Sequence, residues 1–512
     1  MLIRITNKTL STLFLILFTY IYINVVYFYS DNNSLKLIWF GLLTIIAFTL
    51  IYKTMKRYES KLTSKTCNII FTIMCIFIFV FQVLLVVKLQ FKPHHDSRGI
   101  DIAAKNIAMW GDCTHLYDNL KNKQYFSAFP NNWGILLFTS FIYRIVYLIF
   151  DRIPFYTSAI INIIAIQTGI VFLYLSAKLI FDDKIRPLLC GFLACIMPGL
   201  YLYTPIYYTD TLSIPFVTCG IYLFLKAIKS EKISRFLIFS LLCAAVVSVG
   251  YKIKGSLIVL AAAFVIYTFL KVGWKKSICI AVTLIVSLSL CNISTKQYVL
   301  SHGIATQESL ELNQVPSTHW IMMGLKGRGG YDKKEYKFTN SFKTYDEKKA
   351  ANIETIKRRI SDYGIGGMFN HINEKISYTW NDSKFYTSLQ LSTSKKGPFY
   401  DIIINGVGFT QYTSVLYIAM LTLMLVSFIY GQIFSKAKPV MLIQLSVYGL
   451  AFFLLLWETR SRYLVNFLPL MYIIAVDGIS HLDNFSNFIY KKIKRKHSSD
   501  EPVAKHSSSV TV

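Results

Sequence analysis

The chain has 512 residues, of which 54% are apolar, 15% are aromatic and only 16% are charged. A set of soluble domains needs a more polar surface than this, so the composition excludes a soluble protein. Lysine and arginine number 54 against 27 aspartate and glutamate, a formal net charge of +27. On a soluble chain this charge would indicate nucleic acid, whereas on a membrane chain basic cytoplasmic loops beside anionic lipid explain it. We therefore predict anionic lipids as partners and no nucleic acid.

Apolar runs of about 20 residues, the length that crosses a bilayer as a helix, recur along the chain. They predict an all-α polytopic membrane protein with about 12 or 13 transmembrane helices. The predicted spans lie near residues 10–29, 35–52, 67–89, 187–204, 211–228, 236–250, 255–270, 277–293, 403–430, 440–457 and 463–482, with two more apolar stretches at 134–150 and 156–175.

Basic clusters between the spans predict the orientation, because cytoplasmic loops carry an excess of lysine and arginine. The clusters are Lys53–Lys65, Lys178–Arg186, Lys226–Arg235, Lys271–Lys276, Lys436–Lys438 and Lys491–Lys496. With all of them inside, both termini are cytoplasmic and residues 91–132 and 294–400 lie outside. The charge pattern allows only an odd number of crossings between the first outer loop and Lys178. One of the stretches 134–150 and 156–175 is therefore re-entrant or in the membrane plane.

These assignments divide the chain into six parts. They are N-terminal transmembrane helices (1–90), a first outer loop (91–132), a transmembrane bundle (133–293), an outer lid-like segment (294–400), C-terminal transmembrane helices (401–484) and a basic, disordered cytoplasmic tail (485–512). Apolar residues at helical spacing from Ile100 to Ala108 predict an interfacial amphipathic helix in the first loop. In the lid-like segment we predict a helix over Tyr345–Asp362, stopped by Gly364, and a flexible glycine-rich loop at Gly324–Gly330.

Asp96, just beyond the third predicted span, is the first candidate for chemistry. Charged groups at the edge of a membrane are costly, and their default interpretation is a function or an ion pair. A carboxylate within hydrogen-bond reach of a substrate hydroxyl can accept its proton, so Asp96 is a candidate general base. The alternative is that it only pairs with a neighbour such as His95 or Arg98. Asp101 lies more than a helical turn away and is a partner or a solvated residue.

Asp210, Lys252 and Lys254 form a second group of candidates at the outer side. Asp210 directly precedes an apolar span, where it is either a site residue or the N-cap of the next helix. Lys252 and Lys254 lie in a very short outer loop, against the positive-inside trend. Their charge therefore requires an anionic partner, either a lipid headgroup or a bound phosphate.

Arg460 and Arg462 form a third group, between the last two predicted spans. Arginine forks bind phosphate oxygens bidentately, and the nearby Glu458 could neutralise one of them. The alternative is a local network of Glu458 and the arginines that only holds the loop in place.

These features together resemble the GT-C superfamily of integral-membrane glycosyltransferases, particularly members similar to bacterial mannosyl- and aminoarabinosyltransferases. The resemblance spans most of the chain and rests on HHDSRGIDIAAKNIA, YFSAFPNNWG, MPGLYLYTPIYYTDTLSIPF, VGYKIKGSLIVLAAA, HWIMMGLKGRGGYD, ISDYGIGGMFNHINEKISYTWND and ETRSRYLVNFLPL in this order. The chain departs from the family in the spacing of the first-loop carboxylates, in two additional N-terminal helices and in having no large soluble C-terminal domain.

The resemblance implies an inverting transfer of a hexosyl or pentosyl group from a polyprenyl-phosphate donor to a glycan, lipid or protein acceptor. Asp96 would be the general base and Asp210 the second carboxylate. The residues that would hold the donor phosphate and the substrate are Lys254, Arg460, Arg462, Lys252, His95, Asp101 and Tyr463. The site would face outward from a bacterial plasma membrane. No cofactor is predicted, and a divalent cation is left open. The nine cysteines show no CxxC or Cys/His cluster and predict neither a disulfide framework nor a zinc site.

Two other functions fit parts of the pattern. A polymerase or ligase of surface polysaccharide would share the lipid-phosphate donor and would use residues 294–400 as its clamp. A transporter or flippase would place ionisable groups near the middle of the membrane. It ranks last, because the interiors of the predicted spans are nearly free of charge and the polar groups gather at one face.

Overall fold

The computed structural model describes residues 2–31, 35–434 and 439–499. Every regular element in these ranges is helical. The longer helices are α1 (Leu2–Asp31), α2 (Leu35–Arg57), α3 (Ser64–Leu89), α4 (His95–Trp110), α5 (Trp133–Phe150), α6 (Thr157–Ile180), α7 (Ile185–Ile196), α8 (Ile214–Ile228), α9 (Ile233–Ile253), α10 (Ile258–Lys271), α11 (Trp274–Ser301), α12 (Gln307–Asn313), α13 (Ser317–Gly324), α14 (Lys333–Thr339), α15 (Tyr345–Trp380), α16 (Val407–Phe434), α17 (Val440–Leu456) and α18 (Leu468–Ser499). Single helical turns lie between them, including Tyr125–Ala128 and Thr209–Leu212.

The helices confirm a polytopic all-α membrane protein. Within the described ranges, ten helical stretches are long and apolar enough to cross a bilayer, and three shorter apolar helices lie at Ile185–Ile196, Gly255–Lys271 and Val440–Leu456. Large apolar side chains remain exposed along the long helices, for example Trp39 at 68% and Phe77 at 66%. Such surfaces are stable only against lipid, because water would not tolerate so much exposed apolar area.

The packing of α3 against α6 defines the two ends of the bundle. Near the start of α3 the ring of Phe71 stacks on Tyr174, with centroids 4.0 Å apart. Near its end Val86 packs with Ala159 and Ile163. The two helices are therefore antiparallel. We call the end that contains the last turn of α3 and the first turn of α6 the upper end of the bundle, and the other end the lower end.

Helix α5 begins and ends at the upper end. A Cβ atom at Gly134 would lie 2.1 Å from the carbonyl oxygen of Lys252, in the last turn of α9. Helix α8 runs parallel to α6, and Gly169 of α6 packs against Ile214 of α8. Helix α9 is the antiparallel neighbour of α8, so it ends at the upper end. From Phe150 a short turn leads directly to the first residue of α6. Although α5 is long and apolar enough to span, it lies across the end of the bundle, as predicted for one of these two stretches.

The placement of α5 predicts the labelling of two exposed loops from one side of the membrane. With Cys113 replaced by serine, we expect Lys121→Cys and Arg152→Cys both to react with a membrane-impermeant maleimide in sealed cells. Glu231→Cys, at the lower end, should react only after permeabilisation. If Arg152→Cys behaves like Glu231→Cys, then α5 crosses the membrane and the present assignment is wrong.

Residues 302–400 fold back over the first loop and cover part of the upper end. The hydroxyl of Tyr117 donates to the carbonyl of Ile304 at 2.7 Å, and the amide of Val315 donates to the carbonyl of Ala128 at 3.0 Å. Helix α15 begins at the predicted residue, in a capping box between Thr344 and Glu347. It breaks at Gly364, where φ is 54°, but then continues to Trp380, so the predicted helix is only its first half.

A second polar cluster lies toward the lower end, which corrects the expectation that polar groups gather at one face. Asp477 of α18 is buried, accepts a hydrogen bond from Ser427 Oγ at 2.7 Å and is bonded to His481 Nε2 at 3.0 Å. Arg186 Nη1 lies 3.9 Å from the same carboxylate. These contacts join α7, α16 and α18.

The C-terminal tail predicted for residues 485–512 is shorter than expected. Helix α18 continues to Ser499, so residues 485–499 are helical and not disordered. The rest of the predicted tail, residues 500–512, lies outside the described residues.

Candidate active site

Asp210 lies at the centre of the upper end, in the single helical turn Thr209–Leu212. Its side chain is buried and does not cap a helix, so the N-cap interpretation is wrong. The carboxylate instead forms an ion pair with Lys254, and Arg462 Nη1 lies 3.9 Å from its second oxygen. A buried carboxylate is stable only when it is paired in this way.

Lys254 and Lys252 have separate environments although they are two residues apart. Lys254 follows the last turn of α9, pairs with Asp210 and lies 5.2 Å above the ring of Tyr463. Burial lowers the pKa of Lys254, and the Asp210 carboxylate opposes this. Lys252 points the other way, donating to Asn292 at 3.1 Å, so the structure does not bring it to Asp210. Both lysines were predicted to need an anionic partner, either a lipid headgroup or a bound phosphate; Lys254 pairs with a carboxylate, whereas Lys252 bonds a neutral amide.

Arg460 and Arg462 approach the same surface beside Glu458. Arg462 lies between the rings of Tyr208 and Tyr463, at 5.6 Å and 5.1 Å, while Arg460 donates to the hydroxyl of Tyr386 and stacks 4.8 Å above its ring. Both arginines have a buried Nε with no protein partner. Two half-buried guanidinium groups that are incompletely bonded favour an anionic ligand with several oxygens, such as a phosphate.

Glu458 is buried beside these arginines, yet among the described residues no arginine nitrogen lies within 4.0 Å of its carboxylate. Burial raises the pKa of Glu458, and Arg462 and Arg460 oppose this. The predicted alternative, a local network of Glu458 and the arginines, takes an indirect form, since Glu458 and Arg462 each share a side-chain hydrogen bond with Tyr463. The buried Nε of each arginine remains without a protein partner.

Asp96 lies in the first turn of α4 and its side chain is exposed. Its Oδ1 accepts a hydrogen bond from the Tyr125 hydroxyl at 2.9 Å, and Tyr125 in turn accepts one from Asn132 Nδ2 at 2.7 Å. Burial, and then Asp96 itself, raises the pKa of Tyr125, so the phenol keeps its proton and remains a donor. The alternative pairing with His95 or Arg98 is not observed.

Asp96 belongs to the same site as the cations. Its charge contributes to raising the pKa of Tyr208, whose ring contacts Arg462, and that of Glu458. The exposed His95, with a left-handed φ of 48°, stands beside it, and its ring lies 4.9 Å from that of His94. His94 is half-buried, and burial together with the neighbouring His95 lowers its pKa.

Asp101 does not belong to this site. Its carboxylate accepts from Lys105 Nζ at 2.7 Å and from the hydroxyl of Tyr143 at 2.7 Å. Tyr143 is on α5, so Asp101 joins the two helices that lie across the upper end. Its role is thus to position α4, and through α4 to position Asp96.

A comparison with protein-family models decides the family. A model described as conserved hypothetical integral membrane protein matches residues 2–480. The chain belongs to this family. No curated protein matches it. Among the described residues, no group of three or more His, Cys, Asp or Glu side chains is placed to hold a metal ion.

Two solved structures are similar to this integral membrane protein. One is the archaeal oligosaccharyltransferase AglB from Archaeoglobus fulgidus in complex with an inhibitory peptide and a dolichol-phosphate, with a TM-score of 0.44, 12% identity and coverage of 83% of this chain. The other is the Archaeoglobus fulgidus oligosaccharyltransferase tethered to an acceptor peptide, with a TM-score of 0.44, 12% identity and 81% coverage. The chain spans about half the length of these proteins, 52% and 50%.

The sequence analysis missed three further residues of the candidate site in this integral membrane protein, which are Asp382, Tyr386 and Lys375. Asp382 accepts from the amide of Tyr386 at 2.6 Å and from Ser461 Oγ at 2.9 Å. These bonds hold Tyr386 in a left-handed conformation, with φ of 67°, and aim its hydroxyl at Arg460. An aspartate whose side chain bonds the amides of the residues that follow it is typical of a turn. The sequence NDSKF around Asp382 therefore indicated this turn.

Lys375 is the third missed residue, and it corrects the prediction of a flexible loop at Gly324–Gly330. Its buried ammonium donates to the carbonyls of Gly324 at 2.9 Å, Leu455 at 2.7 Å and Trp457 at 2.8 Å. The amide of Thr459 also donates to Gly329 at 2.8 Å. The glycines are needed for close packing, since a Cβ at Gly324 would lie 2.8 Å from the carbonyl of Trp457.

The environment of His319 predicts that residues 302–400, which we call the covering segment, open more readily at low pH. Its side chain is buried, bonds Thr339 Oγ1 at 2.7 Å, and burial lowers its pKa to about 4. An unfolded histidine titrates near pH 6.5, so opening binds a proton and the local stability is lost as the pH falls from about 6.5 toward 4. Between pH 7 and pH 5 we expect the free energy of local opening to fall by about 2 kcal/mol. Amide hydrogen exchange of residues 317–340 should then become roughly 30-fold faster.

The control for this experiment is His302, which is exposed. After correction for the intrinsic exchange rate, His302→Gln should keep the pH dependence and His319→Gln should remove most of it. Equal pH dependence in the wild type and in His319→Gln would contradict the assignment to His319.

Proposed function

We propose that the protein is a glycosyltransferase that moves a sugar from a polyprenyl-phosphate donor to an acceptor hydroxyl at the upper end of the bundle. One observation carries the proposal: an accessible carboxylate, Asp96, shares a surface with the half-buried cations Lys254, Arg460 and Arg462 at the edge of the lipid-facing helices. A base beside a phosphate-binding cluster is what transfer from a sugar phosphate requires.

The reaction is a single displacement at the anomeric carbon of the donor. The oxygen of Asp96 that Tyr125 does not bond takes the proton of the acceptor hydroxyl, and the acceptor oxygen forms the new glycosidic bond. The bond from the anomeric carbon to the phosphate oxygen breaks, and the phosphate leaves with the electron pair. Attack opposite the leaving group inverts the anomeric centre. The second carboxylate, Asp210, keeps the Lys254 ammonium and the Arg462 guanidinium in place.

The cations act on the departing phosphate. Charge accumulates on the phosphate as the bond breaks, and preorganised donors that stabilise such charge contribute about 3 kcal/mol each. The free Nε groups of Arg460 and Arg462 are donors that need no reorganisation of the protein to reach the phosphate. The Lys254 ammonium supplies further positive charge beside them.

The upper end faces outward in this proposal. The basic loops Lys226–Arg235 and Lys271–Lys276 join helices at the lower end, and the positive-inside rule assigns such loops to the cytoplasm. The donor would then be a polyprenyl-phosphate hexose or pentose presented in the outer leaflet, in a bacterial plasma membrane.

The decisive experiment uses the full chain in proteoliposomes with a polyprenyl-phosphate monosaccharide that carries an isotope label, and mass analysis of the products formed with an envelope-glycan extract. Transfer of one labelled sugar per donor supports the proposal. Transfer only from a polyprenyl-linked oligosaccharide would replace it with a polymerase or ligase. Accumulation of the label inside sealed vesicles, without a covalent product, would replace it with a transporter.

A further inference from the structure

Four aromatic side chains form a continuous surface next to Asp96. The ring of Phe129 lies 5.2 Å from Tyr125, 5.8 Å from Tyr336 and 6.4 Å from Trp320. We call Tyr125, Phe129, Trp320 and Tyr336 the aromatic wall. The wall joins two parts of the chain that are far apart in the sequence, since Tyr125 and Phe129 belong to the first loop and the other two to the covering segment.

The aromatic wall adjoins the carboxylate of Asp96. Tyr125 donates to Asp96 directly, and the charge of Asp96 contributes to raising the pKa of Tyr336. Each member of the wall is partly exposed, and Tyr331 next to it is exposed by 49%. Partly exposed aromatic rings beside a candidate base are available to a ligand, whereas a core would bury them completely.

The wall is rigid before any ligand binds. The amide of Val315 donates to the carbonyl of Ala128, and Ser127 Oγ lies 2.8 Å from Ser309 Oγ. Behind Trp320, the buried His319 is bonded to Thr339. Rings that are already held in place lose little conformational freedom when a ligand stacks on them.

We infer that the aromatic wall is the acceptor subsite and that it binds a sugar ring. A sugar presents a face of C–H bonds, which stacks on the electron-rich face of an aromatic ring, and a rim of hydroxyl groups. Asp96, at the edge of the wall, then receives one of those hydroxyls. The inference rests on the proposed function for the transfer step, and it names the acceptor as a glycan or glycolipid instead of a peptide.

The wall would suit a peptide or a lipid chain less well. A lipid chain has no hydroxyl to place against Asp96, and it would remove water from the carboxylate oxygen that Tyr125 does not bond without replacing its hydrogen bond. A peptide lacks the C–H face that a sugar ring presents to an aromatic ring such as Phe129, which is stacked on Tyr336 with centroids 5.8 Å apart.

The test measures binding of soluble probes to the full chain in detergent by saturation-transfer NMR. The probes are disaccharides of hexoses and of N-acetylhexosamines, with a tripeptide of similar mass as the comparison. We expect the sugar C–H protons to receive saturation from the wild type, and the dissociation constant to rise about tenfold in Trp320→Leu and in Phe129→Leu. The matched control is Trp39→Leu, since Trp39 is exposed on the lipid-facing surface of α2.

The outcomes separate this inference from the proposed function. Asp96→Asn should lose transfer but keep sugar binding, because the wall remains intact. Sugar binding that is equal in Trp320→Leu, Phe129→Leu and Trp39→Leu would overturn the subsite, even if transfer depends on Asp96. A tripeptide that binds through Trp320 while the sugars do not would overturn the acceptor class. Sugar binding through the wall without any transfer would leave the subsite standing and reject the glycosyltransferase.

Discussion

Asp96→Asn should reduce the turnover of sugar transfer by about 10²- to 10⁴-fold, which is the usual contribution of a general base. The amide is nearly the same size and still accepts from the Tyr125 hydroxyl, but it cannot take a proton from the acceptor. Since Asp96 is exposed and makes no ion pair in the described part of the chain, the variant should insert and fold like the wild type. The measurement is the initial rate of transfer in proteoliposomes at saturating donor.

Asp118→Asn is the matched control for this variant. Asp118 lies in the same outer loop, is exposed, and pairs only with the exposed His115 at 2.7 Å. Its loss should change the rate little, because exposed pairs contribute at most about 1 kcal/mol. Near-normal transfer by Asp96→Asn, or an equal loss in both variants, would remove Asp96 from the mechanism.

Lys254→Met should destabilise the protein strongly and abolish transfer. The variant leaves the buried carboxylate of Asp210 with Arg462 at 3.9 Å as its remaining cation. Removing one partner of a buried pair typically costs about 3–5 kcal/mol because an uncompensated charge stays buried. The measurement is the shift in thermal unfolding of the detergent-solubilised chain. Lys252→Met, two residues away, should shift it much less, since Lys252 bonds the neutral Asn292 and lies over the ring of Trp133, and its loss leaves no buried carboxylate unpaired.

The double variant Asp210→Asn with Lys254→Met separates stability from catalysis. With both charges gone, neither member of this pair stays buried without its partner, and most of the stability should return. Transfer should remain lost, because neither the phosphate cation nor its partner is present. If the double variant recovers transfer together with stability, the pair only holds the fold together and plays no part in the reaction.

Much of the fold could be predicted because the decisive signals are local. Hydrophobic runs specify the spans, because a backbone in lipid must form its hydrogen bonds within the segment. Basic loops mark one side of the membrane and so specify which helices are antiparallel. The amphipathic pattern from Ile100 to Ala108 was likewise sufficient to predict the helix α4. Length and hydropathy alone did not say whether α5 or α6 lies across the bundle, because both helices meet the same criterion.

The candidate site was predictable only where a residue broke a local rule. Lys254 and Arg462 stood out as cations in loops predicted to be outside, and the structure brings both to Asp210. Lys252 broke the same rule but faces Asn292, because neighbouring residues at the end of a helix point in different directions. Lys375 gave no signal, since its three carbonyl partners come from two distant turns.

From its amino acids alone, the protein is a polytopic helical membrane protein whose spans follow from hydropathy, and the charge pattern predicts which loops lie outside. Those properties depend on the transfer of each segment between water and lipid, which is a property of the segment itself. Only the tertiary structure separates the carboxylate that joins α4 to α5, Asp101, from the exposed one that Tyr125 bonds, Asp96. The difference arises from contacts with Tyr143 and Tyr125, and a contact across the fold has no counterpart in local composition.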